Sequence, residues 1–401
     1  MTQIGATLLA LAERAIFAQH GQRLVAQLST LTRPTRVWSI GKAACAMARG
    51  AAERFGEPLT GLLITKQGHA QNPPAGLMVF EAGHPISDSA GQIAARALLE
   101  DAAGLDDSDR VLLLLSGGAS ALLAEPISGV SLAQWTQIGS DLVLSGASIV
   151  EINCVRRHLG AALGGRLAES TRASIEALVI SDVLDDDPSV IGSGPVSPDG
   201  TTVADARAIL KRLGVSLPPL AETPKPEDPC FSRVRYRVIA SPRTLREAAA
   251  EQVTAVGFVP VVFEPLLKGD VADVCADLLA RSRSLAFGEV LVAAGEPTLR
   301  VHGRAGRGGR AQHLALLASK ALTGQPRTLI AIGSDGTDGP TDAAGAVVDG
   351  ETWTHALAVG KDPQVALDQF DSYSLLDDLG ALIRIGPTGT NCTDLYLLAP
   401  R

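Results

Sequence analysis

Short apolar runs punctuate the chain: "VWSI", "GLLIT", "LMVFEA", "RVLLLL", "EALVIS", "YRVIAS", "FVPVVF", "EVLVAA", "TLIAI" and "GAVV". Each is rich in leucine or β-branched residues, gives way to glycine or a polar residue, and most lead into a stretch of helical periodicity. Apolar runs bounded by turn-formers read as strands, and their alternation with amphipathic helices predicts an α/β architecture with largely parallel sheets. The first segment, "MTQIGATLLALAERAIFAQHG", carries Glu13 and Arg14 inside its apolar periodicity. It therefore predicts an amphipathic helix rather than a secretory leader, and a cytoplasmic location is the default expectation. Serine and glycine interrupt "VLLLLSGGASALLA", so no run reaches the ~20 apolar residues of a membrane span.

Two departures from this rhythm bear on domain organisation. The stretch "GVSLPPLAETPKPEDPCFS", residues 214 to 232, holds five prolines and little apolar periodicity. It predicts a linker, with an N-terminal α/β domain over 1–225 and a C-terminal α/β domain over 226–401. Residues 333 to 350, "GSDGTDGPTDAAGAVVDG", are rich in Gly and Asp and predict loop, with "AGAVV" able to pair as a strand.

Composition narrows the function. A chain of 401 residues that is 46% hydrophobic can bury two cores. A net charge of -8 with 3% aromatic residues argues against nucleic acid as partner. The five cysteines stand singly, without a CxxC pair, and support neither a disulfide framework nor a zinc site. Oligomeric state is not legible, which leaves a homo-oligomer open.

Ligands of open α/β sheets bind beyond the carboxyl ends of the strands. The residues following the runs are Gly41 and Lys42, Thr65 and Lys66, His84, Ser116 with Gly117 and Gly118, Ser181 and Asp182, Gly295 and Glu296, and Ser334 and Asp335. Lys42 either holds a phosphate or is a solvated charge at a helix start. In "LLLLSGGASALL" the glycines allow backbone N–H groups to close on an oxyanion, with Ser116 and Ser120 adding hydroxyls at a helix N-terminus; a tight strand-to-helix turn needs the same glycines. In "HGRAGRGGRAQHLALLA" Arg304, Arg307 and Arg310 are interleaved with Gly303, Gly306, Gly308 and Gly309, which suits bidentate recognition of phosphate or carboxylate. The formal GxGxxA from Gly306 to Ala311 lacks the acidic residue that a dinucleotide site places about twenty positions on. Asp182 leaves a strand and Asp185, Asp186 and Asp187 follow; such carboxylates serve Mg²⁺ or a general base, or form a solvated acidic loop. His69 and His84 show no metal spacing and read as loop or core residues. P-loop, GxSxG, HExxH and protein-kinase signatures do not occur.

The ordered set "SIGKAA", "EAGHPISD", "LLLLSGGASALL", "EINCVRRHLGAALGGRLA", "VISDVLDDDPSVIGSGPVSPD", "GEPTLRVHGRAGRGGRAQHLAL", "IGSDGTDGPTDAAGAVVDG" and "TGTNCTDLYL" resembles the glycerate 2-kinase family. The resemblance implies two α/β domains, the N-terminal one Rossmann-like and the C-terminal one smaller, with the active site in a cleft, and phosphorylation of the 2-hydroxyl of D-glycerate by ATP with Mg²⁺. It assigns the chemistry to Lys42, Asp182 and Arg310, with Lys42 and Arg310 neutralising the transferred phosphoryl group and Asp182 orienting or deprotonating the acceptor hydroxyl. Acceptor binding falls to Ser116, Gly117, Gly118, Asn153 and Arg156, the arginine clamping a carboxylate. Nucleotide binding falls to Ser120, Gly295, Glu296, Gly308, Gly309 and Asp335, and the metal to Asp182 and Asp186. Leu163, Leu184, Asp185, Ala311 and His313 depart from the family pattern, so a related hydroxy acid is a second expectation. Hydroxypyruvate reduction and a nucleotide-binding protein without turnover are others.

Overall fold

The computed structural model describes residues 2–303 and 306–401; Arg304, singled out above, lies outside them. Two compact units divide the chain, one formed by residues 21–239 and the other by the first 20 residues together with 240–401.

The unit of residues 21–239 is built on six strands: β1 (Arg36–Ile40), β2 (Gly61–Lys66), β3 (Leu77–Ala82), β4 (Arg110–Ser116), β5 (Ser174–Ile180) and β6 (Val234–Ala240). They lie in the order β3-β2-β1-β4-β5-β6, with β1 through β5 paired in parallel. Parallel pairing demands crossover helices on both faces, which is why the central runs are apolar throughout. Val111 to Leu115 of β4 are 3% exposed or less, and each such side chain contributes roughly 1.5–3 kcal/mol of burial.

The second unit holds β7 (Val259–Val262), β8 (Leu267–Asp270), β9 (Glu289–Thr298), β10 (Arg327–Gly333), β11 (Gly345–Asp349), β12 (Leu382–Ile383) and β13 (Asp394–Pro400). Its order is β12-β11-β10-β13-β9-β7, with β8 also on β9. Here the expectation of largely parallel sheets fails. Only β7 and β8 run parallel to β9, whereas β10, β11, β12 and β13 form an antiparallel ladder that ends on β9. A strand run carries no mark of the direction of its neighbours, and between β10 and β11 a loop over 334–344 returns the chain without a helix.

The division also differs from the expected 225/226 boundary. Instead of linking two bodies, the proline-rich stretch is strapped to the first unit. Arg166 donates to the carbonyls of Ala221 and Glu222 (2.8 and 3.0 Å), and Thr223 Oγ1 donates to Asp199 (3.1 Å). The chain then adds β6 to the first sheet before it leaves. The N-terminal helix Gln3–Ala18, capped by Thr2, buries Leu8, Leu11, Ala12, Ala15 and Ile16. It packs on helix Pro242–Ala255, which belongs to the same unit although more than 220 residues separate the two in sequence. Among the described residues no helix is long and apolar enough to cross a membrane.

Candidate active site

In the first unit the turns after β1 and β4 interlock. Gly41, at φ +120°, lies so close to Ser116 that a Cβ there would stand 2.3 Å from Ser116 Oγ. The Lys42 N–H donates to Gly117 O (3.0 Å), and the Ala43 N–H to Ser116 Oγ (3.0 Å). Ser116 thus departs from its expected role: it is fully buried and its hydroxyl is spent on the backbone of the Lys42 turn. The expected helix N-terminus shrinks as well, since helix Ala119–Leu122 is four residues long and its dipole counts for little. What remains is the glycine turn itself, whose Gly117 and Gly118 N–H groups meet no acceptor among the described residues.

Gly118 (φ +90°) is required by its neighbours. A Cβ there would lie 3.1 Å from His84 Cδ2 and 3.4 Å from Lys42 Cγ. The structure thereby gathers His84 with Lys42 and Gly118, although sequence reasoning had set His84 aside. The loop carrying His84 is held by Asp88, whose Oδ2 accepts from Gly83 N (2.9 Å) while Oδ1 caps helix Ser89–Ala103 through Gly91 N (2.9 Å).

Helix Ile149–Leu159 starts at a capping box formed by Ser148 and Glu151 and presents Asn153 and Arg156 on one face, three residues apart. Asn153 is buried; its Oδ1 accepts from Ser193 Oγ (3.0 Å), and Ser193 Oγ also meets Ser120 Oγ (2.8 Å). Arg156 is half-buried, and its guanidinium makes no hydrogen bond or ion pair among the described residues. Burial alone moves its pKa, downward. The adjacent Arg157 is a different case, buried against Asp199 at 3.2 Å with Nη1 donating to Ser189 O (2.9 Å).

Asp182 and Asp186 are half-buried beyond β5, whereas Asp185 and Asp187 are exposed. Together with Asp182 and Asp187, Asp186 faces the Tyr236 phenol, whose pKa is raised by burial first and by these carboxylates next. Asp186 Oδ1 and Tyr236 Oη are both buried without a hydrogen-bond partner. No group of three His, Cys, Asp or Glu residues able to hold a metal occurs among the described residues. Magnesium commonly takes only one or two protein carboxylates and fills its shell with water and phosphate oxygens, so Asp182 and the orphaned Asp186 oxygen fit it.

The second unit centres on Arg310, the first residue of helix Arg310–Leu322. Its Nε and Nη2 donate to the two carboxylate oxygens of Asp394 (2.7 and 3.1 Å), and Nη1 donates to Glu296 (2.6 Å). Burial opposes this charge, but Asp394 and Glu296 outweigh it and hold the guanidinium above its ordinary range. The guanidinium thus already meets two carboxylates of the protein itself, Asp394 and Glu296. Asp394 and Asp338 went unselected in the sequence, although both lie in segments that carry the resemblance. Asp338 accepts from Ala311 N (3.2 Å) and Gln312 N (2.8 Å). Gly309 is needed because a Cβ would stand 2.2 Å from Asp338 Oδ1, and Gly308 because one would meet Ser372 Oγ at 2.3 Å. Gly295 admits the backbone of β8, Leu267 O lying 2.2 Å from a would-be Cβ. Asp335 closes the turn after β10 by accepting from Thr337 N (2.9 Å).

Burial, and then the Asp394 charge, push the Asp338 carboxyl up to about 7, against the pull of the helix N–H groups and Arg310. The folded state thus holds this proton more tightly than the unfolded chain. Its contribution to stability is full below about pH 4 and is lost as the pH rises through 7. Asp338→Asn is expected to flatten the fall in thermal stability between pH 5 and 8, an effect of the order of a few kcal/mol. Melting curves of both proteins across that range check it, and parallel slopes would dismiss Asp338 as the titrating group.

Two shallow surface depressions do not compete with these sites. One of ≈ 540 Å³ on helix Leu132–Leu144 is lined by Leu132, Ala133, Thr136, Gln137 and Ser140 and has no charged group. Another of ≈ 400 Å³ is lined by Glu169, Glu222, Glu227 and Asp228 among others and repels anions.

Residues 5–223 match the domain of unknown function DUF4147, and residues 289–394 match the MOFRL family. A D-glycerate 2-kinase of Thermotoga maritima is 40% identical over 375 residues, which cover 90% of this chain and 89% of the relative. The chain belongs to the glycerate 2-kinase family. A glycerate 2-kinase of Pyrococcus horikoshii is 35% identical, with 90% of this chain and 86% of that one covered. The crystal structure of glycerate kinase from Thermotoga maritima superposes with a TM-score of 0.86 at 37% identity over 99% of each chain. The glycerate 2-kinase family signature segments coincide with the turns described above: "SIGKAA" is the Lys42 turn, "LLLLSGGASALL" the Gly117–Gly118 turn, and "TGTNCTDLYL" delivers Asp394 to Arg310.

Proposed function

We propose that this protein transfers the γ-phosphoryl group of ATP to the 2-hydroxyl of D-glycerate, giving 2-phospho-D-glycerate. The kinship with D-glycerate 2-kinases over nine-tenths of the chain supports the reaction. The observation that carries the acceptor side is Arg156, a largely desolvated guanidinium with no protein partner among the described residues. A charge in that position costs free energy unless a ligand pairs with it, and a carboxylate matches its fork. Asn153 stands beside it to add an amide donor.

In this reading Lys42 neutralises the transferring phosphoryl oxygens beside the Gly117–Gly118 turn, as phosphoryl transfer requires. Asp182 orients the 2-hydroxyl and receives its proton. Asp182 and Asp186 would hold Mg²⁺, which supplies charge neutralisation at the nucleotide phosphates. Arg310 has three of its five N–H groups committed to Asp394 and Glu296; the remaining two serve the nucleotide phosphates, with Gly308 and Gly309 at the same helix start.

The reaction is tested by ATP consumption with Mg²⁺ and D-glycerate, with the product offered directly to enolase. Direct use by enolase identifies 2-phosphoglycerate. Absence of ATP consumption, with oxidation of NADH by hydroxypyruvate instead, would replace the kinase with a reductase. Arg156→Met isolates the carboxylate clamp. It is expected to raise the KM for D-glycerate by about tenfold to a hundredfold, the worth of a hydrogen bond to a charged group. It should leave the KM for ATP alone and hold or raise the melting temperature, because an unpaired, partly desolvated charge is removed. An unchanged KM for D-glycerate would sink the assignment.

A further inference from the structure

We infer that Ser193 is a positioning residue that fixes the direction of a three-membered hydrogen-bond chain and thereby makes Ser120 an acceptor for the substrate hydroxyl that is not phosphorylated. The inference deepens the kinase reading and rests on it for the identity of that hydroxyl.

The chain is Ser120 Oγ to Ser193 Oγ (2.8 Å) and Ser193 Oγ to Asn153 Oδ1 (3.0 Å). A carboxamide oxygen has no hydrogen to give, so Ser193 spends its one proton on Asn153. It can then meet Ser120 only as acceptor, and Ser120 must donate. Two consequences follow at the ends of the chain. The Ser120 proton is used inward, so what this half-buried residue offers a ligand is a lone pair. At the other end, Asn153 has its oxygen satisfied and its NH₂ group uncommitted among the described residues, on the helix face of Arg156. The same chain therefore presents donors to a carboxylate at one end and an acceptor to a hydroxyl at the other.

Ser193 itself touches no ligand, being fully buried. Its backbone makes its identity informative. Gly192, Ser193 and Gly194 all lie in the left-handed region, at φ +59°, +58° and +60°, where glycine is the relaxed choice and any side chain is strained. The backbone carbonyls here also hold the neighbouring glycine turn, Ser193 O accepting from Gly164 N (3.0 Å) and Gly194 O from Gly165 N (2.7 Å). Glycine would satisfy all of this except the hydroxyl. The hydroxyl is thus the reason for the strain, and its work is the chain.

D-Glycerate has two hydroxyls. In the kinase reading the 2-hydroxyl gives its proton to Asp182, which leaves the 3-hydroxyl to donate to Ser120. D-Lactate keeps the carboxylate and the 2-hydroxyl but lacks the 3-hydroxyl. The experiment is calorimetric binding of D-glycerate and of D-lactate to wild type, Ser120→Ala and Ser193→Gly, with ATP turnover on D-glycerate measured on the same preparations. Wild type is expected to prefer D-glycerate by about tenfold, the worth of one hydrogen bond. That ratio should fall towards one in both variants, and Ser193→Gly should also weaken both acids through Asn153. A ratio unchanged in either variant overturns the inference, and in Ser193→Gly it would mean that Ser193 merely shapes the loop. Turnover in wild type with an unchanged ratio overturns the inference alone. A preference lost in the variants while wild type consumes no ATP overturns the kinase reading but keeps Ser120 as a hydroxyl acceptor.

Discussion

Lys42→Ala is expected to lower kcat by about a hundredfold to a thousandfold while moving the melting temperature by no more than a degree or two. The turn that carries Lys42 is fixed by its backbone: Lys42 N donates to Gly117 O, and Ala43 N to Ser116 Oγ, at 3.0 Å each. Alanine makes both bonds. The side chain beyond Cβ runs past Gly118 and His84 at the surface of the turn rather than in the apolar core, so its loss subtracts little packing and, in the proposed reading, the charge that meets the reacting phosphate. Rates from a coupled ATPase assay and a thermal melt of the same sample decide the matter. A variant that melts well below wild type makes Lys42 structural, and one that turns over normally removes it from the chemistry.

The second large effect is expected from Arg310→Lys, a charge-conserving change. Arg310 meets Asp394 with two parallel N–H groups and Glu296 with a third. A lysine ammonium is a single point and cannot reproduce that fork. The buried Asp394 then keeps its negative charge with a poorer partner, while Tyr396 Oη, donating to it at 3.1 Å, remains its neutral support. Breaking one side of such a pair costs about 3–5 kcal/mol when a partner is removed outright, and lysine should recover only part of that. Turnover is expected to collapse together with a melting temperature lowered by several degrees. A near-normal rate would mean that the fork serves folding alone and that the nucleotide is held elsewhere.

The ten apolar runs all fall on strands; the central ones are apolar along their length because they are buried on both faces, whereas β3, β6 and β7 are partly exposed. The sequence was mute on the partners of those strands. "DLYLLAP" became β13, the strand between β9 and β10, yet nothing in its residues says that it pairs antiparallel with both. The turns that bring Lys42 to Gly117 were legible as glycine and lysine at strand ends. Their interlock was not, since the packing of Gly41 on Ser116, too close to admit a Cβ, joins residues 75 positions apart. Protein partners followed the same rule. Ser116 and Glu296 read as ligand donors from their neighbours in sequence, and the fold also gives each a protein partner from another segment. Ser193 carried no sequence signal beyond standing between two glycines, and only its left-handed backbone and its place between Ser120 and Asn153 mark it.

Helix Gln3–Ala18 belongs with residues that begin only at Ala240. A ribosome that adds about 5–20 residues per second therefore completes the whole first unit, over roughly ten to forty seconds, before the partners of this helix exist. During that interval the face formed by Leu8, Leu11 and Ile16 has nothing of its own to cover it, and the nascent protein carries it as an open adhesive edge. This helix is made before the first unit but can be put in place only after it, so assembly of the second unit waits on segments made far apart in time.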